Sequence, residues 1–176
     1  MLDPTHLEPL FANASRGAML GWVALLLGLL VQGPGAQGGT APKASRMLLT
    51  LGGRVVPVLL SLGYAVPILQ WWGSSPGGFG SLEQVGKLFE SRGLLLAGWV
   101  HYLAFDLWVG RWSIDALAAE PPAQGAVHWI GRLLMLPCLL LTFLFGPVGL
   151  LAFLGLRQAR RWSLGAQRKN DSRIAS

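Results

Sequence analysis

Three ionisable residues interrupt the apolar stretch GWVHYLAFDLWVGRW, which runs from Gly98 to Trp112. They are His101, Asp106 and Arg111. Carboxyl and imidazole groups are common proton donors and acceptors in proteins, and a guanidinium group stabilises negative charge. The stretch therefore combines residue types that could transfer protons with surroundings apolar enough for a lipid bilayer.

The spacing of these residues limits which of them can act together. On a straight helix, in which successive residues are about 100° apart, His101 and Asp106 lie about 140° apart. Trp108 shares the face of His101, whereas Trp99 and Tyr102 lie around Asp106. A His–Asp dyad within this helix is therefore not expected, and a site at either residue must recruit side chains from other helices.

Asp106 lies near the middle of its apolar segment. An aspartate at the centre of a membrane helix costs roughly 2.5–3.5 kcal/mol, so it should face the protein interior and either pair with a cation or become protonated. Arg111 lies roughly opposite Asp106 on the same helix, so Arg54 or Arg132 from a neighbouring segment is the expected partner. A structural interpretation also stays open, with Asp106 fixing helix packing, His101 bonding a backbone carbonyl and Arg111 snorkelling to the interface.

Four apolar segments must position these residues. The chain has 176 residues, 52% hydrophobic and 12% charged, with a mean hydropathy of +0.49. Soluble domains carry about 25% charged residues, so this composition is typical of a membrane protein. The segments span about 17–31, 54–72, 94–113 and 133–156, each near the roughly 20 residues that cross a bilayer.

A fifth, amphipathic segment reads SLEQVGKLFES, in which Ser81 and Gln84 form a capping box. Its apolar stripe predicts a short helix in the membrane interface. The predicted fold is thus all-α, an integral membrane bundle of four transmembrane helices plus a short interfacial helix. It forms a single membrane domain over residues 1–176. Prolines and glycines in the second and fourth segments could open a lipidic groove, although ordinary close packing would explain them equally well.

Six cations and one acid occupy the tail, residues 157–176. Directly after an apolar helix, such a tail indicates an anchor beside anionic lipid rather than a nucleic-acid site. With four spans, nine cations lie on the side of the two termini and five on the other, which predicts cytoplasmic termini. Asp3 and Glu8 make a poor signal peptide, so the first segment is expected to stay as a helix. Without a transit sequence, a multi-pass protein of a prokaryotic plasma membrane is predicted.

Cofactor chemistry is limited by the residues present. The chain has three histidines and one cysteine, too few for a multi-histidine di-iron site or a disulfide framework. A haem shared by His101 and His128 has no supporting pattern, and no GxGxxG or GxxxxGK[ST] loop occurs. The sequence therefore predicts neither a metal nor another cofactor.

Three ordered motifs carry a family likeness: GFGSLEQVGKLF, LAGWVHYLAFDLWVGRW and LPCLLLTFLFGPVGLL. Together they resemble the small membrane proteins related to plant neoxanthin synthase, the abscisic-acid-deficiency family, which also has bacterial members. The likeness covers about residues 79–157, with H-x-x-x-x-D-x-x-x-x-R-W as its most specific part. The region before it matches only as a pair of apolar helices.

The resemblance implies an integral membrane protein of about four helices that handles carotenoids. In the plant members, an epoxide opens and an allene forms without net redox change, which requires an acid and a base. The resemblance makes Asp106 and His101 the candidates for these roles, with Arg111 as a positioning or electrostatic group. The predicted substrate-binding residues are Trp99, Tyr102, Trp108, Arg54 and Arg132.

Two other functions fit the same sequence. One is a non-catalytic membrane subunit that binds a carotenoid or lipid, or that braces a larger complex. The other is a small transporter or proton relay that uses Asp106. The expected partners are membrane lipid and a carotenoid, with no nucleic acid, and the oligomeric state is left open.

Overall fold

The computed structural model describes residues 6–32, 41–120 and 126–174, and nearly all of these residues are helical. The α-helices, in chain order, are α1 (Leu7–Val31), α2 (Lys43–Thr50), α3 (Val56–Trp71), α4 (Leu82–Glu90), α5 (Arg92–Ala118), α6 (Ala126–Phe145) and α7 (Pro147–Ile174). A π-helical turn, Leu51–Val55, joins α2 to α3. The described ranges contain no strand.

Three helical segments are long and apolar enough to cross a membrane: Leu7–Val31, Lys43–Ser74 and Arg92–Ala118. They exceed the roughly 20 residues that a bilayer requires. The second begins at Lys43 rather than near Arg54, because α2 and the π-helical turn continue α3 toward its N-terminus. The prediction of an all-helical chain is confirmed for the described residues, and these three segments have the length and apolar composition that a membrane span requires.

Helix α1 runs parallel to α5. At one end, Arg92 Nη2 donates to Glu8 Oε1 at 2.6 Å. Further along, Gly110 lies against the indole of Trp22, which a methyl group at Gly110 would approach to 2.8 Å. Both helices therefore begin at the same end of the bundle, here called the Arg92 end, and the end at which α5 finishes is the Glu120 end.

Helix α3 and the π-helical turn run antiparallel to α5. Trp71 packs on Gly93 at the Arg92 end, and Gly53 packs on the aliphatic stem of Arg111 toward the Glu120 end. A side chain at Gly53 would overlap the Cβ and Cγ atoms of Arg111. The two glycine contacts let the backbones approach closely, as membrane helix pairs commonly require.

Helices α6 and α7 form an antiparallel hairpin that reverses at Gly146. This glycine has φ +40°, in the left-handed region that ends helices, and its N–H donates to Thr142 O at 2.9 Å. Pro147 follows and starts α7, where its missing N–H costs nothing. Gly149 then packs directly on the Thr142 backbone, so the two arms leave the turn side by side.

The hairpin returns to the end of the bundle from which it starts. Arg157 and Arg161 of α7 bond Glu120, just beyond α5, at 2.8 and 3.2 Å. The turn itself lies beside Asp106, the middle of α5, where a methyl group on Gly146 would stand 2.7 Å from Oδ1. The hairpin thus extends along about half of α5.

This arrangement corrects the predicted fourth span. Residues 133–156 do not form one crossing helix, because the left-handed Gly146 and the following Pro147 reverse the chain halfway. The predicted location of both termini on one side depended on that fourth crossing. In the structure, α1 begins at the Arg92 end and α7 leaves at the Glu120 end.

The core lies where α1, α5 and the hairpin meet. Its fully buried side chains include Leu25, Leu107, Met135, Leu139 and Phe153. These five come from four helices, so burial of the hairpin tip and the packing of α1 on α5 depend on one another.

The predicted capping box is confirmed. The Ser81 hydroxyl accepts from the Gln84 backbone N–H at 3.2 Å, and Gln84 Oε1 accepts from the Gly80 N–H at 3.0 Å. Helix α4 begins there and buries Leu88, while Leu82 remains 87% exposed. An exposed apolar residue on so short a helix agrees with the predicted interfacial position.

Candidate functional site

Asp106 is the buried acidic group at the centre of the bundle. Its side chain projects from the middle of α5 toward the turn of the hairpin, and the residue is 7% exposed. Oδ1 lies against Gly146, and Oδ2 is buried with no hydrogen-bond partner in the part of the chain that the structure describes. A buried oxygen of this kind is costly unless another group bonds it, so Oδ2 is free to bind a donor.

Tyr102 lies one turn from Asp106, on the side of the Arg92 end. A methyl group at Gly146 would lie 3.4 Å from the Tyr102 hydroxyl and 2.7 Å from Asp106 Oδ1, so both polar groups face the same glycine. The ring of Tyr102 is stacked on Trp99 with centroids 6.4 Å apart. The predicted common face of Trp99, Tyr102 and Asp106 therefore exists, and the hairpin turn completes it.

A cavity lies beside this face at the Arg92 end, and its lining ends at Trp99. This cavity, of about 340 Å³, opens between α1 and α5, from the Glu8–Arg92 ion pair to Phe11 and Trp99. Trp99 Nε1 donates to Ser15 Oγ at 3.0 Å, which fixes the indole at the inner end of the cavity. Arg92 and Asp106 are 14 residues apart on α5, about 21 Å along the helix axis. We call the cavity, together with Tyr102 and Asp106 further along the same face of α5, the roofed groove, because the hairpin turn lies over Asp106 and Tyr102.

The electric field at the inner end of the groove favours a negative oxygen. Helix α7 begins at Pro147, directly after the glycine that contacts Asp106. The first turn of a helix has backbone N–H groups without helical acceptors and carries a partial positive charge. A negative oxygen of a molecule bound beside Asp106 would therefore lie close to this partial positive charge.

His101 does not join Asp106. It is exposed on another face of α5, where its ring stacks on Phe105 with centroids 4.5 Å apart and approaches Tyr64 at 5.6 Å. The predicted separation of His101 from Asp106 on the helix is confirmed. An acid–base pair acting on one reacting carbon is therefore not assembled from these two side chains.

The arginines predicted to pair with Asp106 or to act with it form a different cluster. Arg111 Nε donates to Asp115 Oδ2 at 2.8 Å, one turn along α5. Arg54 lines a cavity of about 120 Å³ with Arg111, Asp115 and Trp108. The predicted Asp106–Arg54 pair is wrong, because the π-helical turn places Arg54 near Arg111, and Asp106 faces the hairpin. The side chains of Arg132 and His128 lie outside the described residues.

Gly146 is the site residue that the sequence pattern did not single out. Its signal was present as Phe-Gly-Pro after a long apolar run, the pattern of a left-handed glycine cap followed by proline. The same Phe-Gly-Pro pattern also occurs at a kink within one continuous helix, so it does not distinguish a kink from a reversal of the chain. Among the described residues, no group of three or more His, Cys, Asp or Glu side chains could hold a metal ion.

Comparison with known protein families gives one match. The model of the ABA DEFICIENT 4-like family matches residues 9–153, which run from the first turn of α1 to the start of α7 and include Tyr102, Asp106 and the hairpin turn. No curated protein and no solved structure gives a match. Because the match covers most of the chain and includes Asp106 and Gly146, the chain belongs to the ABA DEFICIENT 4-like family.

Proposed function

We propose that this protein is a membrane-embedded, neoxanthin synthase-like isomerase that opens the epoxide of a carotenoid end group. Membership of the ABA DEFICIENT 4-like family supports a role of this kind. The observation that carries the proposal is the buried Asp106 carboxyl, which has an unpartnered oxygen and lies on the same face of α5 as the stacked rings of Trp99 and Tyr102.

The roofed groove suits a long, rigid and apolar molecule. Trp99 and Phe11 line its outer part with ring centroids 5.5 Å apart, and Tyr102 continues the aromatic surface toward Asp106. Flat aromatic faces pack well against a conjugated chain. In the proposed complex, the polyene lies along α5 and its oxygenated ring meets Asp106 under the hairpin turn.

Asp106 alone can supply both proton transfers that this isomerisation needs. In its protonated form, one carboxyl oxygen donates its proton to the epoxide oxygen, which keeps the electron pair of the breaking C–O bond. The proton on the adjacent polyene carbon passes to the second carboxyl oxygen, and the electrons of that C–H bond form the new double bond of the allene. The carboxyl group ends as it began, and no electrons enter or leave, so neither His101 nor a redox partner is required.

Pigment analysis tests this function. We expect wild-type protein, expressed in a host that makes an epoxide carotenoid, to produce an isomer with a changed retention time and an allene absorption in the infrared. Asp106→Asn, which cannot exchange protons, should lower product at least about 100-fold. Asp115→Asn, an acid-to-amide change on the same helix, is the matched control and should retain product.

Identical pigments from wild-type protein and a folded Asp106→Asn variant would refute the enzymatic proposal. The second candidate is a non-catalytic carotenoid-binding subunit, and the position of Asp106 beside the start of α7 favours it. In that function, Asp106 stabilises the hairpin turn, and pigment copurifies with the protein unchanged.

We also propose an orientation in the membrane. The Glu120 end carries Lys43, Arg46, Arg54 and Arg111, and the arginines of α7 leave the bundle there. The Arg92 end has Lys87 and Arg92. Because cytoplasmic segments are enriched in lysine and arginine, this distribution supports a cytoplasmic Glu120 end and a start of α1 on the opposite side of a multi-pass plasma-membrane protein.

A further inference from the structure

We propose that Arg54 and Arg111 form a binding site for the phosphate group of an anionic membrane lipid. The two guanidinium groups come from different helical segments and line one cavity of about 120 Å³, here called the arginine cavity. Its other lining residues are Gly53, Trp108, Trp112 and Asp115. This site is separate from the roofed groove and does not depend on the proposed isomerisation.

The π-helical turn is what brings the two arginines together. Such turns widen a helix locally and occur frequently at functional sites. Here the turn contains Gly52 and Gly53, and each contacts a neighbouring helix where no side chain would fit. Gly52 lies on the Gly21 carbonyl of α1, and Gly53 lies on the stem of Arg111. Arg54, the next residue, is held beside Arg111 as a result.

The cavity has more positive charge than its own residues neutralise. Arg111 bonds Asp115 through Nε, but its Nη1 is buried and has no partner within the described residues. Arg54 is exposed and makes no ion pair within that same part of the chain. Lys43 and Arg46 line a second groove, of about 520 Å³, on the helical segment that continues into Arg54. Planar guanidinium groups bind phosphate oxygens in pairs, so this cluster is complementary to a phosphodiester.

The surroundings of the arginine cavity favour a lipid over free phosphate. Trp108 and Trp112 are 53% and 42% exposed on the outer surface of the bundle, where they could contact the glycerol and upper acyl chain. The second groove also has apolar walls, from Met47, Leu51 and Val55. Arg111 lies five residues beyond Asp106 toward the Glu120 end, and long arginine side chains extend from such positions to the headgroup region of a membrane. A soluble anion would gain nothing from the apolar surfaces.

Native mass spectrometry and thermal unfolding of the detergent-purified full chain test the proposal. We expect phosphatidylglycerol to remain bound and to raise the Tm, whereas phosphatidylcholine and inorganic phosphate should not. Arg54→Gln should weaken phosphatidylglycerol binding about tenfold, because one charge-assisted contact to the phosphate is lost. Lys87→Gln, at the Arg92 end, removes a charge far from the cavity and should bind as the wild type does.

Three results would overturn the proposal. Phosphatidylcholine could stabilise the protein as much as phosphatidylglycerol does, or inorganic phosphate could reproduce the whole effect. Alternatively, Arg54→Gln could bind phosphatidylglycerol as tightly as Lys87→Gln. Arg54 is exposed, so its substitution should leave the fold intact, and the Tm of the variant without lipid checks this. Asp106→Asn should keep the lipid, which separates this site from the fate of the proposed enzymatic function.

Discussion

Substitution of Gly149 by alanine is expected to open the hairpin of α6 and α7. The added methyl group would overlap the backbone N, Cα and side-chain Oγ1 of Thr142. Gly149 and Thr142 both belong to helices, so neither backbone can shift locally to avoid the overlap. The two arms must therefore move apart, and the contacts between them weaken with that separation.

Gly155→Ala is the matched control. It makes the same chemical change in the same helix, but nothing lies within 4 Å of the added methyl group. Alanine in place of an exposed helical glycine stabilises by about 0.5–1 kcal/mol. Overpacking at Gly149 costs about 1–3 kcal/mol. Because both variants gain the same helix propensity, they should differ by the overpacking alone, about 1–3 kcal/mol in the free energy of unfolding.

Thermal unfolding in detergent, followed by tryptophan fluorescence, measures this difference. For a chain of this size, 1 kcal/mol shifts Tm by about 2–4 °C, so Gly149→Ala should unfold about 2–12 °C below Gly155→Ala. An equal or higher Tm for Gly149→Ala would refute the tight hairpin. If residues 133–156 formed a single crossing helix, we would expect Gly149→Ala and Gly155→Ala to have the same Tm.

Three further predictions follow from the arrangement of the helices. With the native cysteine replaced, Ser81→Cys and Ser163→Cys should react with a membrane-impermeant thiol reagent from opposite sides of the membrane. Labelling of both cysteines from the same side would instead support the four-span topology. Glu120→Gln should lower stability by about 1–3 kcal/mol, since a buried carboxylate loses charge-assisted bonds to two arginines. Glu83→Gln, which removes an exposed ion pair, should cost under about 1 kcal/mol, and equal Tm values for the two would contradict the difference in burial. His101→Phe should retain at least about half of the pigment conversion, because His101 lies on another face of α5 from Asp106. A tenfold loss of conversion would indicate that His101 contacts the substrate and takes part in general acid–base catalysis.

Much of the local structure was predictable from residue patterns. The capping box at Ser81 placed the start of α4, because it depends only on side chains and backbone within one turn. The helical phase of α5 separated His101 from Asp106 and grouped Asp106 with Tyr102, because 27 consecutive residues follow one regular helix. The apolar runs also identified the three segments that are long enough to cross a membrane.

The partners of the charged residues were not predictable in the same way. Arg54 was expected beside Asp106 because both belong to the same half of the predicted bundle. In the structure, a π-helical turn with two buried glycines places it beside Arg111. A single residue added to a helical turn changes which face the following side chains occupy, and no apolar periodicity reports such an addition.

The sequence by itself determined that this chain is helical, with apolar segments long enough to cross a membrane, and that Asp106 and His101 cannot share one face of their helix. These properties depend on apolar content and on the regular geometry of a single helix. The tertiary structure decided that Gly146 reverses the chain beside Asp106 instead of kinking it. A glycine followed by a proline permits both outcomes, and only the close packing of Gly149 on Thr142 and the bonds from Arg157 and Arg161 to Glu120 select the hairpin.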